Sequence, residues 1–205
     1  MEEVLSNGAV TLKSPIAFRD LMATGKQQSA FTPAVLAMAL LLLPFQYSRA
    51  QTPNEFDVKA VYIYNFVNFV EWPGISFNGA HDPFVIGVAG KNVFSNTLNE
   101  VVRNETYKGR PIEVRTLDNT DEALSCHIVF IEESCVFLDQ ILDSTKGKPV
   151  LTIGDRPDFL KKGGMIRFFL EDKKVKIEVN QTEATRDQLY ISAKLLRLAR
   201  IYKNK

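Results

Sequence analysis

The sequence is poor in the residues from which most catalytic and metal centres are built. It holds two histidines, His81 and His127, two cysteines, Cys126 and Cys135, and one tryptophan, Trp72. Two histidines exclude a metal site made of several His ligands. The cysteines show neither C-x2-C nor H-x3-5-H spacing, so a zinc site is not expected. Cys126 and His127 are adjacent at the head of an apolar run. Neighbours on a strand point to opposite faces, so they make a poor nucleophile pair. A G-x-S-x-G elbow is missing. Gly87-Val88-Ala89-Gly90 lacks both G-x-G-x-x-G and the Lys-Ser/Thr of a phosphate loop, and reads as a tight turn. On this count no catalytic constellation stands out, and neither a cofactor nor a metal is expected.

Charge of one sign is also missing. Lysine and arginine total 25 against 24 aspartates and glutamates. A nucleic-acid binder would carry a basic excess or stripe, so none is expected as a partner. No run reaches the roughly 18 to 20 apolar residues that span a bilayer. The second half has no Gly/Ser-rich or Pro-rich linker, and no internal repeat is visible.

What is present begins with a short apolar run, Ala34 to Phe45, followed by Gln46-Tyr47-Ser48-Arg49-Ala50. About 12 uncharged residues match a signal-peptide core, and Ser48 and Ala50 are small residues at the third and first positions before the cut. The expectation is a cleavable export signal, cut after Ala50, with Gln51 as the first mature residue. Met22 is a candidate start, with Lys26 as the positive charge of the signal. Residues 1–50 then form an extension plus signal, and residues 51–205 a single domain. The first 50 residues hold four basic and three acidic side chains, which leaves 21 of each sign in the mature part.

Asn54 to Trp72 reads as a helix, with Asn54 as N-cap, Glu55 and Asp57 in the first turn, and Pro73-Gly74 as its stop. Val58, Val61, Tyr62, Phe66, Phe69 and Val70 set its apolar face. Phe84 to Ala89, His127 to Ile131 and Lys148 to Ile153 are buried-strand runs, and Ile112 to Leu117 alternates like a half-buried strand. Helices fit Val93 to Asn104 and Val136 to Leu142. Met165 to Leu170 and Lys174 to Val179 flank Glu171-Asp172-Lys173 as a β-hairpin. Thr182 to Tyr202 reads as one long amphipathic helix. The order implies an α/β fold. It is a three-layer αβα sandwich on a mixed sheet of about six strands, with a C-terminal hairpin and a long C-terminal helix.

Cys126 and Cys135 are nine apart in an exported chain. The spacing leaves open an intrachain disulfide, two buried thiols or an intermolecular bond. Glu132-Glu133 ends a strand, where α/β proteins often bind ligands, though a solvated loop pair is the first reading. The aromatic Asn65–Pro73 segment fits helix core plus stop, or a contact surface. Glu71, Trp72, Glu132 and Glu133 are the candidate partner or ligand contacts.

Several segments together resemble one family. Tyr64-Asn65-Phe66-Val67-Asn68-Phe69-Val70-Glu71-Trp72-Pro73 is similar to the opening N-F-x-x-F-x-E-W-P signature of the YfiR-like periplasmic proteins. Phe84 to Gly90, Cys126 to Ile131, Pro149 to Asp155, Gly163-Gly164-Met165-Ile166, Ile177 to Asn180 and Leu189 to Ala199 follow in the family's order. The resemblance covers roughly residues 54–202. It implies a non-enzymatic periplasmic regulator that binds the sensor domain of an inner-membrane signalling protein. That partner would be a diguanylate cyclase, with effects on cyclic-di-GMP and biofilm formation, or a histidine kinase. It also implies a tendency to form homodimers. A periplasmic small-molecule binding protein is the alternative.

Overall fold

The computed structural model describes residues 54–77, 79, 81–90 and 92–203. The apolar run 34–45, Met22 and the Ala50–Gln51 junction lie outside these residues.

Helix α1, Glu55–Phe69, begins where a side chain can satisfy a free amide. Asn54 is extended, and its Oδ1 accepts from the Phe56 N–H. Glu55 and Asp57 lie in the first turn, where carboxylates favour the helix dipole. The helix ends at Phe69, before the Pro73-Gly74 stop, because Val70 turns extended and opens a two-residue strand, β1 (Val70–Glu71). The buried side is formed by Lys59, Ala60, Ile63, Phe66 and Val67. Val61, expected inside, is exposed, and Lys59 takes an inward position instead.

The rest of the unit is built on one eight-stranded sheet. In chain order its strands are β2 (Phe84–Ala89), β3 (Thr106–Tyr107), β4 (Arg110–Thr116), β5 (Ile128–Ile131), β6 (Leu151–Gly154), β7 (Ile166–Glu171), β8 (Lys174–Val179) and β10 (Arg200–Ile201). Their spatial order is β10-β8-β7-β6-β5-β2-β4-β3. Strands β4, β2, β5, β6 and β7 run parallel, and β7–β8 is an antiparallel hairpin. Its turn places Asp172 and Lys173 at positive φ, the geometry of a two-residue hairpin loop. Helix α2 (Asn92–Val102) follows β2, and α3 (Leu138–Thr145) follows β5.

Side-chain alternation along the parallel strands divides two cores. Phe84, Ile86, Val88, Ile128, Phe130, Leu151 and Ile153 face α1 and α2 in one cluster with Phe66, Phe94 and Phe168. Val85, Ala89, Val129 and Ile131 face α3 in the other, with Leu138, Ile141 and Phe159. The three-layer αβα sandwich follows, with a mixed sheet of eight strands where the sequence suggested about six.

The long C-terminal helix does not form. Helix α4 (Gln181–Arg186) stops early, β9 (Tyr190–Ile191) is extended, α5 (Ala193–Leu198) is short, and β10 is the last element among the described residues. Gln188 has φ 63°, a left-handed value that breaks a helix. Buried Asp187 accepts from the Gly147 N–H at 3.1 Å and anchors the break. Val70 and Glu71 then pair antiparallel with Ile191 and Tyr190, and Arg200–Ile201 pair with Glu178–Val179. Two sets of strand hydrogen bonds outweigh local helix propensity.

Candidate functional site

Strands β2 and β5 are neighbours, but their exits part. The chain leaves β2 for α2 on one face and leaves β5 for α3 on the other, so a crevice opens at their carboxyl ends. Gly90 and Glu132 meet there. A Cβ at residue 90 would meet the Glu132 carboxylate, so the two residues lie in close approach. A carboxylate at the carboxyl end of β2 would repel the anion that a phosphate loop holds. A shallow hollow of about 350 Å³ lies beside it, lined by Gly90, Leu117, Asp118, Ser134, Cys135, Val136 and Phe137.

A second cleft, of about 490 Å³, opens between the start of α1 and the ends of β6 and β7. Glu55, Phe56, Lys59, Glu133, Asp155, Arg167 and Leu170 are among its walls. Lys59 is 6% exposed, yet its Nζ lies 2.7 Å from Glu55 and 2.9 Å from Asp155. Burial pulls its pKa down, but the bonds to Glu55 and Asp155 more than offset this and leave it above the ordinary lysine value. Arg167 donates to Glu178 at 2.7 Å and to the Pro157 carbonyl at 3.1 Å. Asp155 Oδ1 and Arg167 Nε are buried without a hydrogen-bond partner. Around these charges the same edge exposes apolar side chains: Phe56, Val93, Val136, Phe137 and Leu170.

The candidate contact residues separate to the two ends of the sheet. Glu132 is buried and Glu133 exposed at the carboxyl end. Trp72 is buried at the opposite end, its Nε1 donating to the His127 carbonyl at 3.1 Å. Glu71 is exposed on β1, paired with Tyr190. Cys126 and Cys135 are buried free thiols that bracket β5 at opposite ends. The chain does not double back between them, so their backbones stay a strand's length apart. Lys59 and Arg167 went unnoticed in the sequence, where Asp155 read as a turn or cap residue before Pro157. The one available signal was Glu55 four residues before Lys59, a spacing that pairs charges on a helix. Among the described residues, no group of three His, Cys, Asp or Glu could hold a metal ion.

The family model for YfiR/HmsC-like proteins matches residues 56–200. The protein therefore belongs to the YfiR/HmsC-like family. Among solved structures, a conserved domain protein from Vibrio cholerae is similar in fold at a TM-score of 0.46 and 11% identity, over 73% of this chain. The chain spans 60% of that protein's length. No curated protein matches the sequence. Among the described residues, no helix is long and apolar enough to cross a membrane.

Proposed function

We propose that the protein is a periplasmic, non-enzymatic regulator. It binds the periplasmic sensor domain of an inner-membrane diguanylate cyclase or histidine kinase and modulates its output. Family membership supports the class. The observation that carries the binding reading is the carboxyl edge of the sheet. Exposed Phe56, Val136, Phe137 and Leu170 there surround charges already paired with one another. Apolar side chains beside ion-paired charges suit protein docking better than chemistry, which needs a free nucleophile or base. Export through the 34–45 segment, with cleavage after Ala50, delivers the domain to that partner. Homodimers would use the same kind of apolar surface. Deleting the gene and measuring cyclic-di-GMP tests the cyclase form: the level changes and a plasmid copy restores it. An unchanged level leaves only the kinase form.

A second reading, a small-molecule binding protein, is favoured by one detail. Asp155 Oδ1 and Arg167 Nε are a buried acceptor and donor without partners, from residues lining one cleft. A metabolite that raises the melting temperature by several degrees, and no longer does so in Asp155→Asn, would support it.

A further inference from the structure

Trp72 and His127 belong to an aromatic assembly at the amino end of the sheet that the docking edge does not use. His127 is buried at the head of β5. Its Nδ1 accepts from the Val85 N–H at 3.0 Å, and its Nε2 lies 3.0 Å from the Ser76 carbonyl oxygen. An accepting Nδ1 carries no hydrogen, so the neutral ring holds its proton on Nε2 and donates it to Ser76. Phe77 and Phe84 stack on the imidazole at 4.6 and 4.7 Å, both at 21°. Arg110 lies over the Phe77 ring at 4.4 Å and donates to the carbonyls of Gly79 and Asp82. The segment from Trp72 to Phe77 is thus pinned to the sheet by the imidazole, by Arg110 over Phe77 and by its own indole.

We propose that this segment is an acid-released latch, closed by neutral His127 and opened when the ring is protonated. A proton on Nδ1 turns the only acceptor for the Val85 N–H into a second donor pointing at it. The bond is lost, and two donors are left facing each other. The new cation has few friends. Arg110 of β4 acts on the ring electrostatically, and Arg115 and Lys148 line the cleft beside it. Cys126, the residue before His127, is a thiol that burial keeps protonated. Among the described residues lining the cleft of about 540 Å³ beneath the latch, Asp82 alone carries a carboxylate. Burial, with a smaller contribution from Arg110, holds the imidazole below the ordinary histidine value despite its bond to Ser76. The closed state is therefore firm at neutral pH. In acid the ring charges, the latch lifts, and Trp72, Phe77 and Phe84 become available as an apolar surface.

Trp72 is the only tryptophan, so its fluorescence reads the latch directly. His81→Gln leaves His127 as the only imidazole, and its ring resonances can then be followed alone. On titration from about pH 8 to about pH 4.5, Trp72 emission shifts to the red with the same midpoint as the His127 resonances. The Val85 amide loses its exchange protection over the same range, while far-UV circular dichroism stays constant. His127→Gln, which cannot charge, abolishes the red shift. The latch is overturned if Trp72 emission stays constant while His127 titrates. It is equally overturned if the shift persists in His127→Gln, or if secondary structure is lost along with it. Should His127→Gln fail to fold, the matched midpoints in His81→Gln still decide.

Discussion

Lys59 and Asp155, 96 residues apart in sequence, meet at 2.9 Å on the carboxyl edge of the sheet. The ammonium is buried, and Asp155 is the less exposed of its two carboxylate partners. Removing one member of such a pair strands a desolvated charge. Asp155→Ala should lower the unfolding free energy by about 2 kcal/mol, less than for a fully enclosed pair because Glu55 remains and Asp155 is partly wet. Urea denaturation reads this as a lower midpoint at constant slope. A change of only a few tenths of a kcal/mol would mean that solvent already screens the pair.

Gly164 sits against the face of Phe159, where any Cβ would overlap the ring. Phe159 is fully buried beneath α3 and cannot step aside. Gly164→Ala is therefore expected to cost about 2 to 3 kcal/mol, as overpacking of a dense core does. Gly163→Ala should cost about 1 kcal/mol for a different reason: φ is 99° there, a backbone conformation that favours glycine. Thermal melts of the two variants should keep this order.

The thiols give a pH prediction. Burial pushes the Cys126 thiol up to about 11, from an ordinary value near 9. A group that is harder to ionise when folded lends stability fully present below the unfolded value. That stability is lost as pH rises through the folded value. The protein should therefore lose stability between about pH 9 and pH 11, and Cys126→Ala should flatten that fall. Native alkylation at pH 8 should be slow at Cys126 and become fast in urea. Rapid native labelling would contradict the burial.

Much of the fold was legible in the sequence because strands and helices that bury one face announce it by periodicity. Phe84–Ala89 and Ile128–Ile131 are continuous apolar runs, as central parallel strands must be. The hairpin β7–β8 declared itself by alternation around a polar turn. The C-terminal segment misled because Leu189, Ala193 and Leu196 fit a helical period by coincidence. Their fates are decided by distant partners, Val70–Glu71 and Gly147, which local spacing does not record. The same limit hid Lys59. A lysine on an aromatic helix reads as solvated until Asp155 is brought against it by the sheet. Trp72, marked as a contact, is held inside by a backbone carbonyl from β5's head, 55 residues away.

The docking edge makes a prediction separable from stability. Val136 and Phe137 are 84% and 42% exposed, so an aspartate at either position disturbs little of the core. Val136→Asp should change the unfolding free energy by no more than about 0.5 kcal/mol. It should still weaken binding to the membrane partner, because a buried unpaired carboxylate opposes association. Circular dichroism melts alongside binding curves would separate the two effects.

The most direct test is co-purification of the tagged protein from detergent-solubilised membranes, with wild type compared against Phe137→Asp. The account predicts that wild type enriches an inner-membrane protein with a periplasmic domain and a cytoplasmic cyclase or kinase domain, and that Phe137→Asp loses it while remaining folded. Enrichment of no such protein, or equal enrichment by the variant, would contradict a regulator that docks through the carboxyl edge of its sheet.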